Sequence, residues 1–226
     1  MRYAIGEIVL VVIGILIALS INSWYADRLA SANEQKLLIN IIDNLSTDYQ
    51  ATFELLQKVR RRQEIHLQLY NASIAKIITE QSDPYSAEIV EKTDIISITW
   101  DNHKNSIEKI SKREIRNELN QYFSSHSVLL KYTVDLNDAI MNQFRPYLRT
   151  HGIINLNVVF KSSPDKDDMD RLNFFHVDRL KSKFGTDEFN QIILELFLGT
   201  QDVIQSLDTI LKYNLQLQTE LKAYLN

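Results

Sequence analysis

The chain has 226 residues, 45% of them hydrophobic and 24% charged, with a formal net charge of −4. That is the composition of an ordinary folded protein, and its slight acidity offers no basic field for nucleic acid. It has no cysteine, which excludes disulfides, thiolate metal sites and thiol nucleophiles. Five Gly and three Pro are too few to turn an all-β chain.

The first element is apolar. From Ile8 to Ile21 there is no charge and little besides Ile, Leu, Val, Ala and Gly. As a helix these positions span about 21 Å, short of a hydrocarbon core of about 30 Å. Extending to Tyr3 and Trp24 gives about 33 Å and puts Tyr3, Trp24 and Tyr25 at the two interfaces, where amphipathic rings settle. Residues 1–25 are therefore predicted to be a transmembrane anchor in the lipid bilayer, and residues 26–226 one helical bundle domain. A cleaved signal peptide fits less well: its basic region would be Arg2 alone, soon followed by Glu7, although Ala18-Leu19-Ser20 is a passable cleavage site. Arg2 on one side against Arg28 and Lys36 on the other leaves the positive-inside count nearly tied.

Glu7 lies just inside the boundary opposite Trp24, where a carboxylate is costly. At helical spacing Glu7, Val11, Gly14, Ala18 and Ile21 share a face, and Gly14 and Ala18 form a small-xxx-small pair that lets two backbones approach closely. Three readings follow: a self-associating helix with Glu7, Gly14 and Ala18 at its seam, a proton or ion site at Glu7, or a plain anchor whose glutamate snorkels.

The run from Tyr3 to Leu19, YAIGEIVLVVIGILIAL, followed by Ile21-Asn22 and Trp24, resembles an uncharacterised family of single-pass membrane proteins from the Bacteroidetes. Members open with almost this helix and continue into a helical extracytoplasmic region. They usually carry a longer basic stretch before the helix and an Asn where this chain has Ser23. The resemblance implies an inner-membrane location with the amino terminus in the cytoplasm and the large domain in the periplasm. It implies no activity, because the family has none established.

From Asp27 to about Glu80 no Gly or Pro interrupts. Leu38, Ile41, Ile42, Leu45, Tyr49, Thr52, Phe53, Leu56 and Val59 recur at three- and four-residue steps, predicting an amphipathic helix continuous with the anchor. Lys58 and Arg60-Arg61-Arg62 read as a solvated face or as salt-bridge partners of a neighbouring helix. Pro84 breaks the pattern, and residues 86–110 read as short helices joined by a turn near Asp101–Asn105. Ser111 with Glu114 reads as a capping box opening a helix with Ile115, Leu119, Tyr122, His126, Leu129, Thr133, Leu136, Ile140 and Gln143 inward. Pro146 should kink or end that helix, and Gly152 marks the stop. His126, on the inward face, reads as a hydrogen-bonded core residue rather than a ligand.

Residues 153–173 are the least helical. Ile154–Phe160 suggests a short extended piece, and Asp165, Asp167, Asp168 and Asp170 read as an acidic loop, since the Gly and Glu that a calcium loop needs are absent. A short helix over Asn173–Phe184 ends at Gly185. Thr186, with Asp187 and Glu188 in the first turn, caps the last helix. Its seam runs Phe189, Ile193, Leu196, Thr200, Val203, Leu207, Ile210, Asn214, Leu217, Leu221 and Tyr224, a bundle or coiled-coil pattern.

The five His have no ligand spacing such as HExxH, and no phosphate-cradling or nucleophile-elbow motif occurs. The expectation is an all-α, non-enzymatic protein without cofactor or metal, anchored in a bilayer. Its expected partners are a second copy through the anchor helix and an envelope protein. The alternative is an ion-coupled single-helix subunit that uses Glu7.

Overall fold

In the computed structural model the described residues are 2–75, 87–156 and 174–225, and they are helical with no β-strand among them. Helix α1 (Arg2–Ala75) runs 74 residues without a break, about 110 Å at 1.5 Å per residue. It passes through residue 25, the expected end of the anchor, without interruption. The absence of Gly and Pro between Gly14 and Pro84 is what permits this. The expected break at residues 81–85 lies outside the described residues.

Beyond α1 come a 3-10 turn (Ala87–Val90), an extended stretch, α2 (Ile98–His103) and a second 3-10 turn (Ile107–Lys109). Helix α3 (Arg113–Asp138) runs through a π-helical segment (Ala139–Phe144) into α4 (Arg145–Thr150). Helices α5 (Val177–Lys181) and α6 (Asp187–Leu225) follow. Helix α6 packs on both α1 and α3. It is antiparallel to both: Arg60 meets Asp208 and Ser73 meets Asn190, while Gln121 meets Tyr213. Residues 87–110 cross α1 and reach α3 through an edge-to-face contact of Trp100 with Phe123, centroids 5.4 Å apart.

The core follows the seam expected from the sequence. Leu38, Ile41, Leu45, Leu56, Val59 and Leu69 are buried on α1, as are Phe189, Ile193, Leu196, Val203, Leu207, Ile210, Leu217 and Leu221 on α6. Two positions depart from it. Phe53 is exposed because Thr52 takes the inward place, and Tyr224 stays at the surface with the Lys112 ammonium 4.9 Å from its ring centroid.

One expected helix boundary is corrected, and of the two outcomes expected at Pro146 the structure excludes an end to the helix. Ser111 is not the N-cap of α3. That residue is Lys112, which makes no side-chain cap. The Ser111 N–H and hydroxyl instead donate to Glu34 Oε1 on α1, at 2.8 and 2.9 Å. Nor does Pro146 end its helix. Having no N–H it leaves one intrahelical bond unmade, and the preceding π segment absorbs the change, with the Arg145 N–H bonded to the Ile140 carbonyl. The extra residue slips the register, so Phe144 is buried where Gln143 was expected. The helix stops at Gly152, in the left-handed region at φ 61°. A single antiparallel bridge then pairs Ile154 with Phe175. The Asn155 N–H donates to the Phe174 carbonyl at 2.9 Å, but Leu156 is already helical, and residues 157–160 and all four loop aspartates lie outside the described residues. Gly185 (φ 78°) ends the α5 turn, and Thr186 accepts the Phe189 N–H at 3.4 Å, as expected of a cap.

Candidate functional site

Two features stand out once the core is assigned: a bare apolar rod and a polar seam inside the bundle. The rod is the first third of α1. Every large apolar side chain from Leu10 to Leu29 is between 47% and 74% exposed, and the first fully buried residue is Leu38. It is the one helix among the described residues long and apolar enough to cross a membrane. None of its apolar window is buried, unlike the core helix of a soluble protein. The Arg28 guanidinium, 5.5 Å from the Trp24 ring centroid, marks where the apolar stretch ends.

The residues singled out for association lie on this rod. Gly14 has no atom within 4 Å of where a Cβ would stand, and Val11, Ala18 and Ile21 around it are exposed. Glu7 is in the helix, but its side chain falls outside the described residues. Gly14 and Ala18 share one open face, touched by nothing else among the described residues.

The polar seam was missed by periodicity. Asp48, Arg62 and His66 occupy inward positions of α1 outside the expected apolar run, and all three are buried. The Asp48 carboxylate accepts from the Ser97 hydroxyl (2.7 Å) and from the N–H groups of Ile98 (2.8 Å) and Thr99 (3.0 Å). It therefore closes the first turn of α2 alongside the Ser97 N-cap. Tyr122 reaches the same carboxylate at 3.5 Å, and Asn214 links the Tyr122 hydroxyl (3.2 Å) to the Leu45 carbonyl (2.9 Å). Burial, then the nearby Asp48 charge, raises the Tyr122 phenol above its ordinary value.

Arg62 donates to Thr93 Oγ1 at 2.7 Å, while its Nε has no hydrogen-bond partner. Burial lowers its pKa against the opposing pull of Glu91 and Glu88. His66, one turn on, is pushed down to about 3 by burial and then by the Arg62 charge. His126 is pushed down to about 4 by burial, with its ring edge-on to Tyr122. It is a core residue as expected, but its Nε2 has no hydrogen-bond partner. His103, lowered by burial, receives Asn44 Nδ2 at Nε2 (2.8 Å).

Of the arginine triplet, Arg60 pairs with Asp208 and Arg61 with Glu88, as a salt-bridging face should. The buried Arg62 is the exception. The seam holds neutral histidines and a committed carboxylate inside packed helices. No group of His, Asp or Glu among the described residues is placed to hold a metal ion.

A groove of about 640 Å³ opens at the foot of the bundle, lined by residues that include Ala30, Lys36, Leu37 and Lys109. Glu34, on its wall, is already bonded to Ser111.

No curated protein and no solved structure matches the chain. Residues 7–81, a stretch that nearly coincides with α1, match the model of a family of unknown function, DUF6090.

Proposed function

We propose that this protein is a membrane-anchored, non-enzymatic helical module of the bacterial inner membrane, with residues 1–25 in the bilayer and the bundle in the periplasm. Its role is to assemble with a second copy through the anchor and with an envelope protein through the bundle. The observation that carries this reading is the unbroken passage of α1 from a fully bare apolar segment into the bundle core. Burying that segment in lipid removes the largest apolar surface of the chain from water. The family match over the same helix and the absence of a catalytic motif from the sequence support it.

A cleaved leader has the same composition, so the test must separate the two. Membranes from cells expressing the full chain are washed with alkaline carbonate, and the retained protein is sequenced from its amino terminus. Retention with residues 1–25 intact supports the anchor. Release, or a mature chain beginning near Ile21, sinks it. Protease added to spheroplasts should digest the bundle, whereas its protection would reverse the orientation.

A further inference from the structure

The buried seam of α1 repeats every seven residues through Leu38, Leu45, Thr52, Val59, His66 and Ser73, all turned into the bundle. A helix that keeps a seven-residue repeat against its neighbours holds every other seven-residue repeat at a fixed angle to that seam. One residue further on, about 100° round the helix, the same repeat reads Ile39, Ser46, Phe53, Arg60, Leu67 and Ile74. Its four large apolar side chains are exposed, from Phe53 at 44% to Ile74 at 58%.

Helix α6 carries the matching repeat. One residue beyond its buried Ile193, Thr200, Leu207 and Asn214 stand Leu194, Gln201, Asp208 and Leu215, and Leu194 and Leu215 are likewise about half exposed. The Arg60–Asp208 pair, at 2.9 and 3.0 Å, places both repeats on the same open side of the α1–α6 pair. Residues 87–110 dock elsewhere on α1, through Lys58–Glu91, Arg62–Thr93 and Asp48–Ser97. In the antiparallel register set by that salt bridge, Phe53 and Leu215 stand at one level, and Ile74 and Leu194 at another. The stripe from Ile39 to Ile74 is about 50 Å long. Its exposed apolar area is on the order of a few hundred Å², the size that marks contact surfaces.

Counted the other way, the stripe enters the anchor. Seven-residue steps down from Ile39 give Ala32, Tyr25, Ala18 and Val11, and Ala18 and Val11 belong to the bare face around Gly14. Because α1 is unbroken, two copies that meet on this anchor face and coil left-handedly about each other keep their stripes turned toward each other, since that coiling cancels the drift of about 20° per seven residues. An unrelated partner has no reason to share the register of the anchor. Tethering in one membrane raises the local concentration of the second copy into the millimolar range, so a stripe interrupted by Ser46 and Arg60 suffices.

We propose that the α1–α6 stripe is the surface on which the bundle meets a second copy of the same chain. This choice of occupant rests on the anchor contact proposed above. Because the chain has no cysteine, single variants Ile21→Cys, Phe53→Cys, Leu67→Cys and Val134→Cys of the full chain can be treated with a short bismaleimide in native membranes. Ile21 reports the anchor face without filling the notch at Gly14, and Val134, on α3 and 63% exposed, is the control for random collision. Covalent dimer at residues 53 and 67 at least fivefold above residue 134 is expected. In detergent, Phe53→Asp with Leu67→Asp should lower the dimer fraction at least threefold by light scattering, with an unchanged circular dichroism spectrum. Linking at 21 with 53 and 67 no better than 134 overturns the stripe and leaves the anchor contact standing. Linking at 53 and 67 without 21 overturns the anchor contact and keeps the stripe. No linking above the control overturns both.

Discussion

Asp48 and Ser97 lie 2.7 Å apart inside the bundle, a carboxylate of the long helix accepting the hydroxyl that caps α2. The same carboxylate takes two backbone N–H groups of α2, so one acid on α1 fixes the start of α2 in register. Replacing it by Ala removes the acceptor of the Ser97 hydroxyl, of the buried Thr99 N–H and of the part-buried Ile98 N–H. Asp48→Ala should cost about 2–4 kcal/mol, and Asp48→Asn less, because it keeps the volume and one acceptor. Thermal unfolding of the detergent-solubilised chain, followed by circular dichroism, measures both. Equal midpoints for Asp48→Ala and wild type would remove this role.

Acid should loosen the bundle through its buried histidines. His66 and His126 are held neutral in the fold, at about 3 and about 4, against an ordinary value of 6.5. Between those values the unfolded chain binds protons that the folded chain does not, so stability is present above pH 6.5 and is lost as pH falls toward 4. The slope is about 1.4 kcal/mol per pH unit for each histidine. Denaturant midpoints between pH 7 and pH 5 should fall accordingly. The His66→Gln and His126→Gln variants should each flatten the curve, and an unchanged slope in both would show that the rings are not the source.

Arg62 tests how a buried cation is tolerated. With one hydrogen bond, to Thr93, and an unpartnered Nε, its desolvation is incompletely offset. Arg62→Met, which keeps the volume, should therefore be within about 1 kcal/mol of wild type or more stable, whereas Arg62→Ala should lose about 2–4 kcal/mol. The methionine variant also removes the charge that adds to the lowering of His66. The His66 resonance should then titrate at a higher pH, still below the ordinary value because burial is the larger cause. No movement of that titration would contradict the coupling.

In the anchor, lipid gives helices no hydrophobic reason to pair, so close packing has to do it. Gly14→Leu fills the notch that Gly14 leaves open. It should weaken self-association more than Glu7→Gln, because an interhelical hydrogen bond is worth only about 0.6 kcal/mol on average and the Gln amide can still make one. A two-hybrid assay in membranes ranks the two. Loss of function with Glu7→Gln, while the dimer stays intact, would instead favour ion coupling.

Much of this architecture is legible in the sequence because apolar side chains carry it. The inward runs of α3 and α6 keep one period, and few glycines or prolines disturb it. The exceptions are places where distant groups compete. Ser111 has the local signature of a cap, but Glu34 arrives from 77 residues away and takes its hydroxyl. Arg62 reads as part of a charged outer face and no local feature singles out Asp48, although each falls seven residues from an inward hydrophobe, Leu69 and Ile41 respectively. That register was the only signal of their burial. The partners that make it tolerable, Ser97 and Thr93, come from the segment with no clean period. At Pro146 the sequence announces a break, but no residue pattern announces that a π segment would carry the helix through it. The anchor face around Gly14 is legible as spacing alone, since nothing else among the described residues touches it.

The continuity of α1 makes the molecule a drive shaft. With no hinge between Trp24 and the first buried turn at Leu38, the anchor and the bundle are locked in phase. One residue inserted between them would turn the bundle by about 100° relative to the bilayer-embedded face, while seven would bring it back to within about 20°. The length of that short stretch is thus far less important than its remainder on division by the helical repeat. Torque or tilt applied to the membrane end is carried along one continuous helix to Ser73, where α1 meets the start of α6.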